Sequence, residues 1–279
     1  MAHLPRKFEP TAWRLCCLLV LALLLLAGVW GCKSGSGGAS QAICVAGSTS
    51  VQPFAEKLSE IFMQQNALIR VDVQGGGSSA GIQAAIQGAA NLGASSRELL
   101  GPENKLVEIP IAYDGIAIIV HPTNPLTDLT LPQIKRIFTG QLTNWRDLGL
   151  PPREIDVINR EEGSGTREAF EHLVMGQTEV SPAAMVQDSN GSVREIVAGD
   201  PNSIGYISAG LVDNRVKALT IDGVAPTAEN IKNHTYKLRR RFLLVSREAL
   251  SGSCQKFVDF ILSPQGQQIL EKEGLVGIK

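Results

Sequence analysis

Short apolar runs alternate along this chain with segments whose apolar residues recur every three or four positions. Residues 42–46 read as a buried strand, and Val51, Phe54, Leu58, Ile61 and Phe62 then fall at helical spacing, with Pro53 tolerated in a first turn. Residues 70–74 alternate as a strand does, Ile82, Ala85 and Ile86 mark a second helix, and 91–94 form a short strand. This β-α-β-α-β order predicts an α/β fold with parallel strands. A strongly apolar strand over 114–120 opens a second block, where Thr130 can cap a helix carrying Ile134, Ile137 and Phe138. A strand over 156–159, a helix over 165–174, a helix marked by Val193, Ile196 and Val197, and a strand over 204–207 follow. A strand over 242–245 can return the chain to the first block, and helices over 255–262 and 264–273 close it.

The first forty residues follow a different pattern. Arg6, Lys7 and Arg14 precede a leucine-rich run over 15–30 that ends at Gly31-Cys32. A basic segment, an apolar core and small residues make an export signal, and the run is shorter than the ~20 residues that span a bilayer. The order resembles a bacterial lipobox, which implies removal of residues 1–31 and acylation of Cys32; Trp30 departs from the small residue usual at its position. The rival reading is an uncleaved membrane anchor, and both place the globular part outside the cytoplasm. Residues 33–40 are a Gly/Ser linker.

Composition narrows the function. With 44% hydrophobic and 19% charged residues among 279, the chain can bury a sizeable core. A net charge of −1, from 26 basic and 27 acidic residues, gives no basic surplus for nucleic acid. Arg239-Arg240-Arg241 is the nearest thing, and it reads as a solvated turn before a strand. Beyond the leader only Cys44 and Cys254 remain, expected as two free thiols although they could pair. The four histidines are scattered, without metal-ligand spacing, so no cofactor or metal is expected.

Three glycine/hydroxyl clusters stand where a strand hands over to a helix: Gly47-Ser48-Thr49-Ser50, residues 75–81 (GGGSSAG), and Gly163-Ser164-Gly165-Thr166-Arg167. The first turn of a helix leaves backbone N–H groups unpartnered, and the aligned peptide dipoles make that end partly positive. Glycine admits close approach and Ser/Thr add hydroxyl donors, a combination that suits a small oxyanion. One cluster alone is an ordinary helix cap; three in one chain point further. Arg160, at a strand's end before the third cluster, can present a planar fork to an oxyanion, with Glu162 placed to hold it.

These segments, with Leu92-Gly93-Ala94-Ser95-Ser96-Arg97, Asp114-Gly115-Ile116-Ala117 and Ser203-Ile204-Gly205-Tyr206, occur in an order that closely resembles the phosphate-binding proteins of high-affinity phosphate ABC importers. The resemblance covers nearly the whole mature chain, and 160–166 is its most specific part. It implies a two-lobed periplasmic-binding-protein-like (type II) fold, each lobe a mainly parallel sheet flanked by helices, with the ligand in the cleft between them. Lobe I would comprise 42–113 and 243–279, and lobe II 114–242. It also implies phosphate ligands at Thr49, Ser50, Ser78, Ser96, Arg160, Ser164, Gly165 and Thr166, supported by Ser48, Asp114 and Glu162. The implied partners are the permease and ATPase subunits of the importer, and a monomer is expected. Many relatives carry Asp where this chain has Ser96; a carboxylate there accepts the proton of hydrogenphosphate and repels sulfate. Asp114 is the candidate substitute acceptor.

Other readings compete. Another oxyanion, sulfate or molybdate, fits the same clusters. Residues 77–81 match the G-x-S-x-G nucleophile elbow, so a serine hydrolase using Ser79, with Asp222 and His234, is a formal alternative. Gly75, Gly77 and Ala80 with Glu98 match a dinucleotide fingerprint loosely, but that reading leaves the export signal and the other clusters unexplained.

Overall fold

The computed structural model describes residues 41–278. The export signal, Cys32 and the linker, read from the sequence, lie outside the described residues. Among the described residues one mixed sheet joins β1 (Gln41–Gly47), β2 (Ile69–Gly75), β3 (Leu92–Ser95), β4 (Val107–Val120), β6 (Asp156–Arg160), β7 (Met185–Gln187), β8 (Ser203–Ser208) and β11 (Arg239–Ser246) in the order β2-β1-β3-β11-β4-β8-β6-β7, with β9 (Lys217–Ala218) beside β4, while β5 (Asp128–Leu129) and β10 (Thr220–Ile221) pair in a separate two-stranded sheet. The first sheet segment holds β1 (Gln41–Gly47), β2 (Ile69–Gly75) and β3 (Leu92–Ser95), parallel as the βαβαβ pattern requires. Helix α1 (Gln52–Gln65) connects β1 to β2, and α2 (Ser78–Gln87) connects β2 to β3.

β4 is the connecting element. It runs from Val107 to Val120, seven residues earlier than the apolar run alone predicts, and changes partners midway. Its first half pairs antiparallel with β11 (Arg239–Ser246), and its second half pairs antiparallel with β8 (Ser203–Ser208). β11 also pairs antiparallel with β3. A strand that leaves one sheet and a strand that returns must run in opposite directions, so these crossings break the otherwise parallel order. Beyond β8 the sheet becomes parallel again through β6 (Asp156–Arg160) and β7 (Met185–Gln187).

The hydrophobic cores divide at the same place. Ile109, Ile111 and Ala112 of β4 join Phe54, Leu58 and Phe62 of α1 in one core, with Phe257 from α7 (Gly252–Leu262) and Leu270 from α8 (Pro264–Lys272); α2 packs Ile82 and Ala85 on the other face of that sheet. Ile116, Ile118 and Val120 of β4 join a second core instead, with Ile134 and Phe138 of α3 (Leu131–Phe138) and Phe170 of α4 (Gly165–Phe170). α5 (Asn190–Gly199) covers the far face through Val193 and Val197. Each lobe is therefore a sheet between two helical layers. Each fully buried Ile, Leu or Phe contributes roughly 1.5–3 kcal/mol, so each lobe has its own cohesion.

The capping residues sit where expected. Thr130 accepts from Gln133 N–H, and Ser164 accepts from Arg167 N–H. The helix read over 165–174 is α-helical only to Phe170 and continues as a π-turn, Glu171–Met175. Arg239, Arg240 and Arg241 do not form a solvated turn. They begin β11, and the strand sends Arg240 inward while Arg241 pairs with Glu98 and Glu108 at the surface. Cys44 and Cys254 are separate free thiols, and burial pushes both above the usual thiol range.

Candidate functional site

The three glycine/hydroxyl clusters meet at one place. From the first lobe, the turn between β1 and α1 supplies Ser48, Thr49 and Ser50; the start of α2 supplies Ser78; and the end of β3 is followed by Ser96. From the second lobe, Arg160 stands at the end of β6, with Ser164, Gly165 and Thr166 at the start of α4. Ser50 Oγ lies 2.7 Å from Thr166 Oγ1 across the cleft. Ser79 N–H donates to Gly163 carbonyl oxygen at 3.1 Å. Ser48, Ser50, Ser78, Ser96, Arg160, Ser164 and Thr166 are all buried, and Thr49 is half-buried.

Gly165 faces Ser78 and Ser96 so closely that a Cβ there would sit 2.1 Å from Ser78 Oγ and 2.8 Å from Ser96 Oγ. Glycine at this position is what lets the second lobe's helix start reach the first lobe's hydroxyls. α4 is held in place from behind: Phe170 stacks on Tyr206 at 4.2 Å between ring centroids, and Phe138 packs on both. On the first-lobe side, Ser48 Oγ donates to Ser96 Oγ at 2.9 Å, and Ser96 N–H donates to Ser78 Oγ at 3.1 Å. Ser78 Oγ also lies 3.4 Å from Ser96 Oγ, a contact in which either hydroxyl can donate.

Arg160 is 1% exposed, and its fork is oriented on one side only. Nε and Nη2 donate to the two carboxylate oxygens of Glu161 at 2.8 and 2.9 Å, and Nη2 also donates to Thr49 Oγ1 at 3.2 Å. Nη1 is buried and has no hydrogen-bond partner among the described residues. A buried guanidinium N–H left without an acceptor is costly. The expectation that Glu162 holds Arg160 is corrected: Glu162 is exposed, and the adjacent Glu161 does the holding. The turn after β6 folds the side chain of residue 161 back along the arginine and sends that of 162 to solvent.

A second buried guanidinium, missed in the sequence, lies at the floor of the cleft. Arg240 and Asp114 are cross-strand neighbours on β11 and β4. Arg240 Nε and Nη2 both donate to Asp114 Oδ2, at 2.9 and 2.8 Å. Arg240 also donates through Nη1 to Thr166 Oγ1 at 2.9 Å and through Nη2 to Ser50 Oγ at 3.2 Å. It thus orders one hydroxyl from each lobe. Asp114 is not a spare acceptor, because Ser208 Oγ occupies its Oδ1 and Arg240 its Oδ2. Burial pushes the Asp114 carboxyl upward, against the pull of Arg240 and Ser208. Asn190, the first residue of α5, completes the network by donating to Thr49 Oγ1 and Ser50 Oγ and accepting from Ser208 N–H.

The hydrolase and dinucleotide constellations do not assemble. Ser79 Oγ is held between Arg97 and Glu168, Asp222 pairs with Lys237, and His234 is exposed in a left-handed turn. Glu98 is engaged by Arg241. Among the described residues no group of three or more His, Cys, Asp or Glu could hold a metal ion.

What the arrangement can do is surround a small tetrahedral anion with hydroxyls, helix-start amides and arginine N–H groups. Comparison with known proteins agrees with that geometry. Residues 33–265 match the model of the PBP superfamily domain. The phosphate-binding protein PstS of Bacillus subtilis is 30% identical over 278 residues, covering 94% of this chain and 92% of that protein. The chain belongs to the phosphate-binding protein family. The Borreliella burgdorferi member is 28% identical, with 94% of this chain and 98% of the relative covered. Among solved structures, a candidate phosphate ABC transporter substrate-binding protein from Clostridium perfringens, solved with bound phosphate, is 43% identical. It superposes with a TM-score of 0.83, covering 86% of this chain and all of that one. An ABC-type phosphate transport receptor from Vibrio cholerae is 36% identical, with a TM-score of 0.70 over 84% of this chain and 99% of that one.

Proposed function

We propose that this chain binds one inorganic phosphate ion in the cleft between its lobes, outside the cytoplasm, and delivers it to an ABC-type permease without chemical change. The observation that carries this reading is the buried Arg160 Nη1, which lacks an acceptor among the described residues, in a cleft where Ser78, Gly165 and Thr166 converge from both lobes. The family's phosphate-binding members support it. In this reading Thr49, Ser50, Ser78, Ser96, Arg160, Ser164, Gly165 and Thr166 surround the anion, and Arg240 orders Ser50 and Thr166 for it. Hydrogen bonds to a charged group contribute roughly 1.5–3 kcal/mol each, whereas micromolar binding needs about 8 kcal/mol net after association and closure are offset. The groups present suffice without a metal.

The lobes in this reading are 42–113 with 243–279, and 114–242, joined by β4 and β11. Lipidation of Cys32 would tether the protein to the membrane, and the polar linker would hold it off the surface; the sequence pattern before Cys32 supports this. Competition among phosphate, sulfate, arsenate and molybdate for the protein tests the reading. Phosphate and arsenate are expected to compete for one site per chain, with sulfate and molybdate weaker. Preferential sulfate or molybdate binding would replace the phosphate reading with that of another oxyanion receptor.

A further inference from the structure

Outside the anion-binding groups, three polar side chains meet across the cleft, each next to or near a site residue in sequence. Ser79 follows Ser78, Arg97 follows Ser96, and Glu168 lies two residues beyond Thr166. The backbone that turns each site residue inward turns these three together. Glu168, from the second lobe, receives an ion pair from Arg97 Nε at 2.7 Å, a charge contact rather than a directed hydrogen bond, and a hydrogen bond from Ser79 Oγ at 3.1 Å. Arg97 Nη2 in turn donates to Ser79 Oγ at 3.0 Å, so the serine hydroxyl accepts from one partner and donates to the other.

The first-lobe half of this contact is built in advance. Arg97 is 6% exposed and held by Glu103 within its own lobe, with Nη1 and Nη2 donating to Oε2 and Oε1 at 2.7 and 3.0 Å; Nη1 also donates to Glu98 carbonyl oxygen. Burial alone would lower the guanidinium's pKa, but Glu103 and Glu168 raise it above the ordinary value. Little side-chain entropy remains to be lost when Glu168 arrives, which separates this pair from a flexible surface ion pair.

We propose that Arg97, Ser79 and Glu168 form a latch that is made only when the lobes are together and that sets how slowly bound phosphate leaves. They are positioning residues, since none is among the groups assigned above to the anion. The inference rests on the phosphate-receptor reading above. The latch breaks on opening, so its loss speeds release and leaves capture by the open form nearly unchanged.

The test is stopped-flow measurement of phosphate association and dissociation for the wild type, Glu168→Gln and Ser79→Ala, with thermal denaturation of each in phosphate-free buffer. Glu168→Gln is expected to raise the dissociation rate about 5- to 30-fold, with an association rate within about twofold and an unchanged phosphate-free melting temperature. Ser79→Ala, a smaller change, is expected to shift dissociation in the same direction, and the double variant to show less than the product of the two effects. A dissociation rate within about twofold of wild type in both single variants overturns the latch while leaving the receptor reading intact. Absence of phosphate binding by the wild type overturns the receptor reading, and the latch with it.

Discussion

Replacing Gly165 by alanine adds one methyl group at the point where the lobes meet. Built on the existing backbone, that Cβ lies 2.1 Å from Ser78 Oγ, 2.8 Å from Ser78 Cβ and 2.8 Å from Ser96 Oγ. Rotating the Ser78 hydroxyl relieves the first contact but not the second, so α4 and α2 must move apart. Overpacking of this kind costs about 1–3 kcal/mol. Ser78 and Ser96 belong to the first lobe and Gly165 to the second, so the cost falls on the closed, phosphate-holding form and not on either lobe alone. Isothermal titration should therefore show phosphate binding about 5- to 150-fold weaker. Urea unfolding without phosphate should stay within about 0.5 kcal/mol of wild type, as for a surface change. Affinity within twofold of wild type would refute the reasoning, and so would equal losses in affinity and phosphate-free stability.

Three further outcomes follow from the charged pairs. Arg160→Lys keeps the positive charge but loses the fork that Glu161 orients, so phosphate titration should give an affinity lower by about 10- to 150-fold. Arg240→Met leaves Asp114 buried without its ion-pair partner and should lower stability in urea by about 3–5 kcal/mol, while the double variant Asp114→Asn/Arg240→Met should recover much of that stability without recovering affinity. Burial raises the Glu103 pKa, but bonds from Arg97 and from Leu100 N–H more than offset this and hold it below the ordinary 4.5. A depressed carboxylate contributes stability above its unfolded pKa and loses it as pH falls through the folded one. Unfolding midpoints of wild type and Glu103→Gln should therefore converge as pH drops below about 4.5 and separate above it.

The sequence exposes the first lobe well because βαβ units leave strong local signals: apolar strands, helical spacing, and glycine/hydroxyl turns at the handovers. The strand over 242–245 is legible, but the start of β11 is harder to see. Arg239-Arg240-Arg241 reads as polar chain, yet in a strand successive side chains face opposite ways, so Arg240 can turn to the cleft while Arg239 lies over the Tyr113 ring and Arg241 reaches Glu98. Only the cross-strand partner Asp114, 126 positions away, makes the burial of Arg240 tolerable, and no local window contains both. Glu161 and Glu162 show a finer limit. Either carboxylate could reach Arg160 along an extended chain, and the turn into Gly163 decides which one does. Asn190 carries no signal of its own, being one polar residue in the first turn of a helix that Ser189 caps.

The most direct test of the account is a crystal structure of the protein grown with phosphate. The anion is predicted to lie between the lobes within hydrogen-bond reach of Arg160 Nη1, Ser78 Oγ, the Gly165 amide and the Thr166 hydroxyl. An anion bound elsewhere, with Arg160 Nη1 turned away from it, would contradict the account.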